Sequence, residues 1–304
     1  MRLLSALAAI ALVGPLPTSA QSLRNGPLIL ELPASTRALG LGGAFVLEGR
    51  DPDAIFYNPA LLHQAGGAAV AVQRYGSGST LGTLSTSRSW SSCGLAFGAQ
   101  VLSYRASSSD PTTVSSDEAL LLGAGPIGGS ELVASLAYAR TVKGLQAGVS
   151  AKLVEQRLGG AHDETFAADL GISKEVSNVT IGVAVQNLGP GLDMGTSDLP
   201  LPTRVTLGAS LARQQVGPLD LVATATVSRR RDAEIVPAGG IEVAWWPLMG
   251  RTFIARVGVR RVPNGGANTV SFGAAFTGDA ITVEYAFQEF DVSGAAHRIG
   301  LRWR

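Results

Sequence analysis

Few residues in this chain have the types and spacing that chemistry needs. Gly123-Ala124-Gly125-Pro126-Ile127-Gly128 matches G-x-G-x-x-G after an apolar run. A dinucleotide site would require a helix next and an acid about 20 residues on. Instead Leu132, Ala134, Leu136 and Tyr138 follow at strand spacing, so the stretch reads as a glycine-rich loop. His63, His162 and His297 are far apart and form neither H-x-x-x-H nor H-E-x-x-H. No G-x-S-x-G elbow occurs. A distributed Ser-His-Asp site is recognised by geometry rather than order, which sequence leaves open. One cysteine, Cys93, excludes an internal disulfide or a Cys-rich metal site and reads as a small buried hydrophobe. No catalytic residue, cofactor or metal ligand is therefore expected. The remaining polar candidates are Lys152, Arg157, Asp169 and Glu284, each among small residues. Arg229-Arg230-Arg231 reads as a solvated loop, with anionic lipid headgroups as the alternative contact.

The elements that carry these residues alternate with period two. Val205, Leu207, Ala209 and Leu211 interleave with Thr206, Gly208, Ser210 and Ala212. Ile281, Val283, Tyr285 and Phe287 interleave with Thr282, Glu284, Ala286 and Gln288, and Ile299, Leu301 and Trp303 with Arg298, Gly300, Arg302 and Arg304. These are strands with one apolar face. The second face is Gly, Ala, Ser and Thr rather than the Lys and Glu of a soluble sandwich. Apolar residues toward lipid and small polar ones toward a lumen fit an outer-membrane barrel, with a secreted β-sandwich as the alternative. Only 15% of residues are charged, against about 25% on average. Net charge is +1, which offers no surplus for nucleic acid. Glycine is abundant, at 38 of 304 residues.

Candidate strands fall near 67–75, 79–89, 92–104, 130–141, 145–158, 164–174, 178–188, 202–213, 217–229, 235–246, 252–262, 268–277, 280–290 and 295–304. That predicts an all-β transmembrane antiparallel barrel of about 14 strands. Connections alternate between short and longer, including a longer one from Gly159 to Asp163, as periplasmic turns and outer loops do. Glu118 to Pro126 reads as an extension into an outer loop. Trp90, Trp245, Trp246 and Trp303 would then all lie at the periplasmic rim. Ahead of the strands, Arg2, the apolar run Leu3 to Val13 and Thr18-Ser19-Ala20 read as a signal peptide over 1–20, cut before Gln21. Residues 21–66 do not alternate and are expected to form a compact hatch, with the barrel at 67–304.

RALGLGGAF (37–45) and DPDAIFYNPALL (51–62) resemble the N-terminal signature of PorV/PorQ-type outer-membrane proteins, relatives of the FadL channel family. The resemblance continues in order through LAYAR (136–140), GVSAKLVEQRL (148–158), AADLGI (167–172), GVAVQNLGPGL (182–192), LPTRVTLGAS (201–210) and the last 24 residues. It departs at the end, where Trp303 is penultimate and Arg304 last. It implies a 14-stranded barrel and a hatch with Gly40, Gly42, Gly43, Asn58, Pro59 and Ala60 as gating residues. Lys152, Arg157, Asp169 and Glu284 would point into the lumen. It also implies a role in type IX-like protein secretion, with outer-membrane lipid around the wall. Partners would be secreted proteins bearing a C-terminal signal domain, or other secretion components. The alternative is a FadL-like transport channel for a hydrophobic small ligand, and a further one a soluble secreted β-protein.

Overall fold

The computed structural model describes residues 26–45, 47, 50–76, 78–106, 127–195, 198–261, 269–290 and 294–303. The expected leader over 1–20, the Glu118 to Pro126 segment and Arg304 lie outside these residues. Fourteen strands form one closed antiparallel barrel. They are β1 Gly67–Tyr75, β2 Ser79–Trp90, β3 Cys93–Ala106, β4 Ile127–Val142, β5 Leu145–Leu158, β6 Ala161–Val176 and β7 Val179–Leu188, followed by β10 Arg204–Val216, β11 Leu219–Arg230, β12 Ile235–Leu248, β13 Arg251–Arg260, β14 Thr269–Thr277, β15 Ile281–Phe290 and β16 Gly294–Trp303. A separate two-stranded hairpin, β8 Leu192–Asp193 and β9 Asp198–Leu199, lies between β7 and β10. The ring closes where β1 meets β16, with Val70 opposite Leu301 and Val72 opposite Ile299. Closure leaves no edge strand with unpaired backbone groups.

The alternation in the sequence becomes the two faces of this wall. Val70, Leu84, Phe97, Leu136, Ile181, Leu207, Val257, Phe272, Val283 and Ile299 all point outward and are exposed; Phe166 is 71% exposed. That belt surrounds the barrel, and a bilayer is the medium in which it costs nothing. One rim carries tight turns at 91–92, 143–144, 177–178, 217–218, 249–250 and 278–280. Lys143 and Gly144 both take positive φ there (50° and 78°), as a two-residue hairpin matched to strand twist requires. Trp90 and Trp303 end strands at this rim, Trp245 and Trp246 lie near the end of β12, and all four are exposed.

The opposite rim holds most of the longer connections, but those at 76–78, 159–160 and 291–293 are only two or three residues long. β6 starts at Ala161 rather than 164, because His162 and Glu164 continue the ladder opposite Arg157 and Glu155. The connection after β5 is therefore the pair 159–160, shorter than its sequence suggested. β4 likewise begins at Ile127, so Gly128 lies in a strand and no helix follows the glycine motif.

The interior is filled rather than open. Four short turns of the N-terminal segment, Leu28–Leu30, α1 (Thr36–Gly40), Pro52–Phe56 and Pro59–His63, lie against the inner wall. Leu28, Ile29 and Leu30 join Leu102, Val154, Leu158, Leu192 and Leu199 in one apolar cluster. Phe45, Ile55, Phe56, Leu61 and Leu62 form a second with Ala96, Ala137 and Ala139 of the wall.

Candidate functional site in the barrel lumen

The N-terminal segment is shaped by its own capping residues. Asp51 accepts from the Asp53 N–H at 3.2 Å and Asn58 Oδ1 from the Ala60 N–H at 3.0 Å. Each is followed by proline at the first position of a 3-10 turn, where a missing N–H is no loss. Asn58 also reaches the wall, donating from Nδ2 to the carbonyls of Ile172 (3.2 Å) and Val183 (3.4 Å). Wall side chains in turn satisfy backbone groups that the segment cannot pair with itself. Ser271 Oγ accepts from Gly42 N at 2.8 Å and Ser210 Oγ from Leu47 N at 2.8 Å. Gln186 Nε2 donates to the Phe56 carbonyl at 2.9 Å, and Thr224 Oγ1 to that of Phe45 at 3.0 Å. An irregular segment buried in a barrel needs such partners.

Much of the glycine marks where segment and wall touch through backbone. A Cβ at Gly258 would lie 2.0 Å from the Leu41 carbonyl carbon, and one at Gly148 would lie 2.3 Å from that of Pro59. No other residue permits such an approach.

A chain of alternating charges ties the segment to one side of the wall. Asp51 pairs with Arg302 (2.5 Å), Arg302 with Glu284 (3.3 Å) and Glu284 with Arg256 (3.0 Å). Arg256 then pairs with Glu242 (2.7 Å) and Glu242 with Arg37 (2.7 Å). Both ends belong to the segment and the middle to β16, β15, β13 and β12. Three cations meet three carboxylates, which is how buried charge is tolerated. Arg298 is fully buried and donates to Thr36 Oγ1, the carbonyls of Pro33 and Ala34, Gln73 Oε1 and Thr83 Oγ1.

Asp53 sits in the segment, accepting from Ser85 Oγ at 2.6 Å. Burial, and then the neighbouring Asp51 carboxylate, push its pKa up to about 7 from an ordinary 3.8. Between those values the folded chain holds a proton that the unfolded chain has released, so stability falls as pH rises through this window. Resistance of the segment to proteolysis in detergent is therefore expected to be higher at pH 5 than at pH 8. Asp53→Asn should flatten that difference; a variant that keeps the full slope would assign it to another group.

The sequence candidates separate into three groups. Lys152 and Asp169 meet at 2.7 Å, both buried, at a β-bulge between β6 and β7. Lys152 Nζ also donates to Asn187 Oδ1 (2.8 Å) and Asp169 Oδ1 accepts from Asn187 N (2.8 Å), so this knot fixes the base of the 189–203 connection. Glu284 lies elsewhere, in the charge chain. Arg157 does not point into the lumen. It is exposed and pairs with Glu155, because an odd separation from Lys152 on one strand puts the two on opposite faces. Of the residues expected to gate, Gly40 packs against Gly273, Gly42 and Gly43 take positive φ, and Asn58, Pro59 and Ala60 are buried against β5, β6 and β7. Arg229 and Arg230 end β11 rather than lying in a loop, and Arg230 turns inward to Glu31 at 2.6 Å. Cys93 opens β3 and is half-buried. His63, His162 and His297 do not meet; His297 bonds Tyr285 on the outer face.

Sequence reading missed the arginines of the interior, Arg37, Arg204, Arg256, Arg298 and Arg302. For those on the wall the signal was parity, since Arg298 and Arg302 share the face of Gly300; Arg37, on α1, carries no such signal.

Among the described residues, two small cavities lie in the lumen beside β10 and β11. One of about 80 Å³ lies toward the rim with the long connections, bordered by Pro33, Tyr57, Arg204, Arg230 and Arg260. A deeper one of about 60 Å³ is bordered by Phe45, Leu47, Tyr57, Ala184 and Gly208. Tyr57 lies between them, stacked on Phe45 with ring centroids 4.5 Å apart.

No protein-family model and no curated protein sequence matches the chain. Solved structures do share its fold. The Pseudomonas putida toluene transporter TodX aligns with a TM-score of 0.57 at 13% identity, over 93% of this chain and 98% of that one. The CymD monoaromatic hydrocarbon channel aligns at 0.59 and 13%, over 89% and 95%. A Pseudomonas aeruginosa FadL homologue aligns at 0.57 and 11%, over 89% and 98%. At such identities the likeness establishes the architecture alone: this chain has the fold of the FadL-type outer-membrane barrels.

Proposed function

We propose that this chain is a non-enzymatic outer-membrane conduit for small hydrophobic molecules. Residues 1–20 would direct its export, and the N-terminal segment from 21 to 66 would act as a movable hatch. The observation that carries the reading is the lumen itself. The wall is apolar outside and closed, while its interior is stoppered by a segment that is no part of the sheet. Side-chain hydrogen bonds, ion pairs and packed apolar side chains hold that segment, and all of these can part without breaking the ladder. TodX and CymD, which share the fold, are described as a toluene transporter and a monoaromatic hydrocarbon channel. The secretion role implied by the PorV/PorQ resemblance rests on motifs alone, so the conduit is the better supported of the two.

The test is entry of toluene into proteoliposomes holding the full chain. Entry several-fold faster than into protein-free vesicles is expected. Equal rates, together with retention of a secreted protein by the purified barrel, would favour the secretion role. Recovery of the protein from cells without detergent would remove both.

A further inference from the structure

Charge is spread unevenly around the rim that carries the tight turns. On one side of the barrel the outer cations are matched: Arg213 pairs with Asp220 at 3.4 Å and Arg251 with Asp279 at 3.1 Å. On the other side they are not. Arg88 on β2, Arg140 on β4, Lys143 in the turn after β4 and Lys174 on β6 are all exposed. Among the described residues no carboxylate forms an ion pair with any of these four. Glu175 is the one acid on this stretch of rim, and it has the opposite parity to Lys174 on β6.

These cations do not stand beyond the apolar belt. Arg140 lies between Tyr138 and Val142 on its face of β4, and Lys174 between Ile172 and Val176 on β6, and all four flanking residues are exposed. Arg140 also shares a cross-strand row with Cys93 and Trp90. The Arg88 guanidinium lies 5.7 Å from the Trp90 ring centroid. Exposed Trp and Tyr mark the depth where hydrocarbon gives way to headgroups. A soluble acidic partner could reach the cations only by covering residues that face lipid. A lipid meets both, its head on the cation and its chains along the wall below, and long Arg and Lys stems span that boundary. In barrels with this pattern of connections the short turns are periplasmic.

We infer that the strip from β2 to β6 at this rim binds anionic phospholipid of the periplasmic leaflet. The ligand is a phosphate-bearing head with net negative charge, held by Arg88, Arg140, Lys143 and Lys174. An arginine can take a phosphate by two parallel hydrogen bonds. The strip spans four strand spacings, roughly 19 Å, so neighbouring heads share it. The site requires only that the barrel sit in a bilayer, so it stands or falls separately from the conduit.

The experiment is quenching of tryptophan fluorescence by brominated lipid, with the full chain in phosphatidylcholine vesicles. W245F/W246F/W303F leaves Trp90 as the reporter of the strip, and W90F/W246F/W303F leaves Trp245 as the reporter of the balanced side. Brominated phosphatidylglycerol is compared with brominated phosphatidylcholine at equal proportion. Trp90 should report a preference for phosphatidylglycerol of about five-fold or more at low salt, the equivalent of one or more cation contacts, and this should shrink as salt rises. Trp245 should report a ratio near one. R140Q/K174Q, which leaves the Arg88–Trp90 contact in place, should bring the Trp90 ratio towards one, and R140K/K174R should keep it. If R140Q/K174Q does not insert, the salt series and the two reporters in the parent still decide. A Trp90 ratio near one would leave the cations to a soluble acidic partner and overturn the inference. An equal preference at Trp90 and Trp245, or one indifferent to salt or to R140Q/K174Q, would overturn it as well.

Discussion

On the proposed conduit reading, a cysteine pair at Thr36 and Gly300, in a chain whose Cys93 is replaced by serine, is expected to block passage when oxidised and to restore it on reduction. A Cβ built at Gly300 lies 3.4 Å from that of Thr36, close to the roughly 3.8 Å usual across a disulfide. The obstacle to any side chain at Gly300 is the Thr36 hydroxyl, 2.6 Å away, and the T36C change removes it. One partner lies on α1 in the segment and the other on β16 in the wall. The bridge therefore fastens the segment to the wall without touching the cavities. Toluene entry should fall to the level of protein-free vesicles in the oxidised form and recover with a thiol reductant. Full crosslinking with undiminished entry would show that residues 36–40 need not leave β16 for passage.

Gly258→Val should unseat the segment and leave the wall standing. Valine suits a strand better than glycine does, so β13 loses nothing. The cost falls on the contact, where a Cβ would come within 2.1 Å of both the Leu41 carbonyl carbon and the Gly42 nitrogen. Backbone on both sides cannot rotate away as a side chain could, so the penalty should reach the top of the overpacking range, about 3 kcal/mol or more. In detergent the variant should keep the β-sheet circular dichroism of the parent, be cut by trypsin at Arg37, and conduct more ions across planar bilayers. Gly128→Val is the control, since a Cβ there meets nothing within 4 Å. A Gly258→Val barrel with the parent's protease resistance would mean that the segment relaxes to accept the valine.

How much of this was legible in the sequence depends on which interactions alternation encodes. Each of the 14 candidate strands corresponds to a strand of the wall, because a strand between lipid and lumen must alternate whatever it faces inside. Boundaries slipped where inward and outward residues are alike in polarity, as at His162-Asp163-Glu164. The turn at Asn58-Pro59 is legible in the sequence, since a cap and the proline after it act locally. The charge chain was not visible, because Asp51 and Arg302 are 251 positions apart and only barrel closure brings them together. Arg157 was misplaced for the opposite reason. Its company of small residues suggested the lumen, while its position on the strand put it outside. Glycine was misread in part, being taken as lumen lining when at Gly148 and Gly258 it marks contact between two backbones.

Arg298 lies on the strand that completes the ring. β16 joins β15 to β1, and the guanidinium it carries inward takes three of its five acceptors from Pro33, Ala34 and Thr36. A chain that shut its seam without the segment would give up those three acceptors and leave the donors to water. The seam therefore closes most favourably once the N-terminal segment is already inside. Seam and segment are thereby coupled, because the side chain that seats residues 33–36 is carried by the strand that joins β15 to β1.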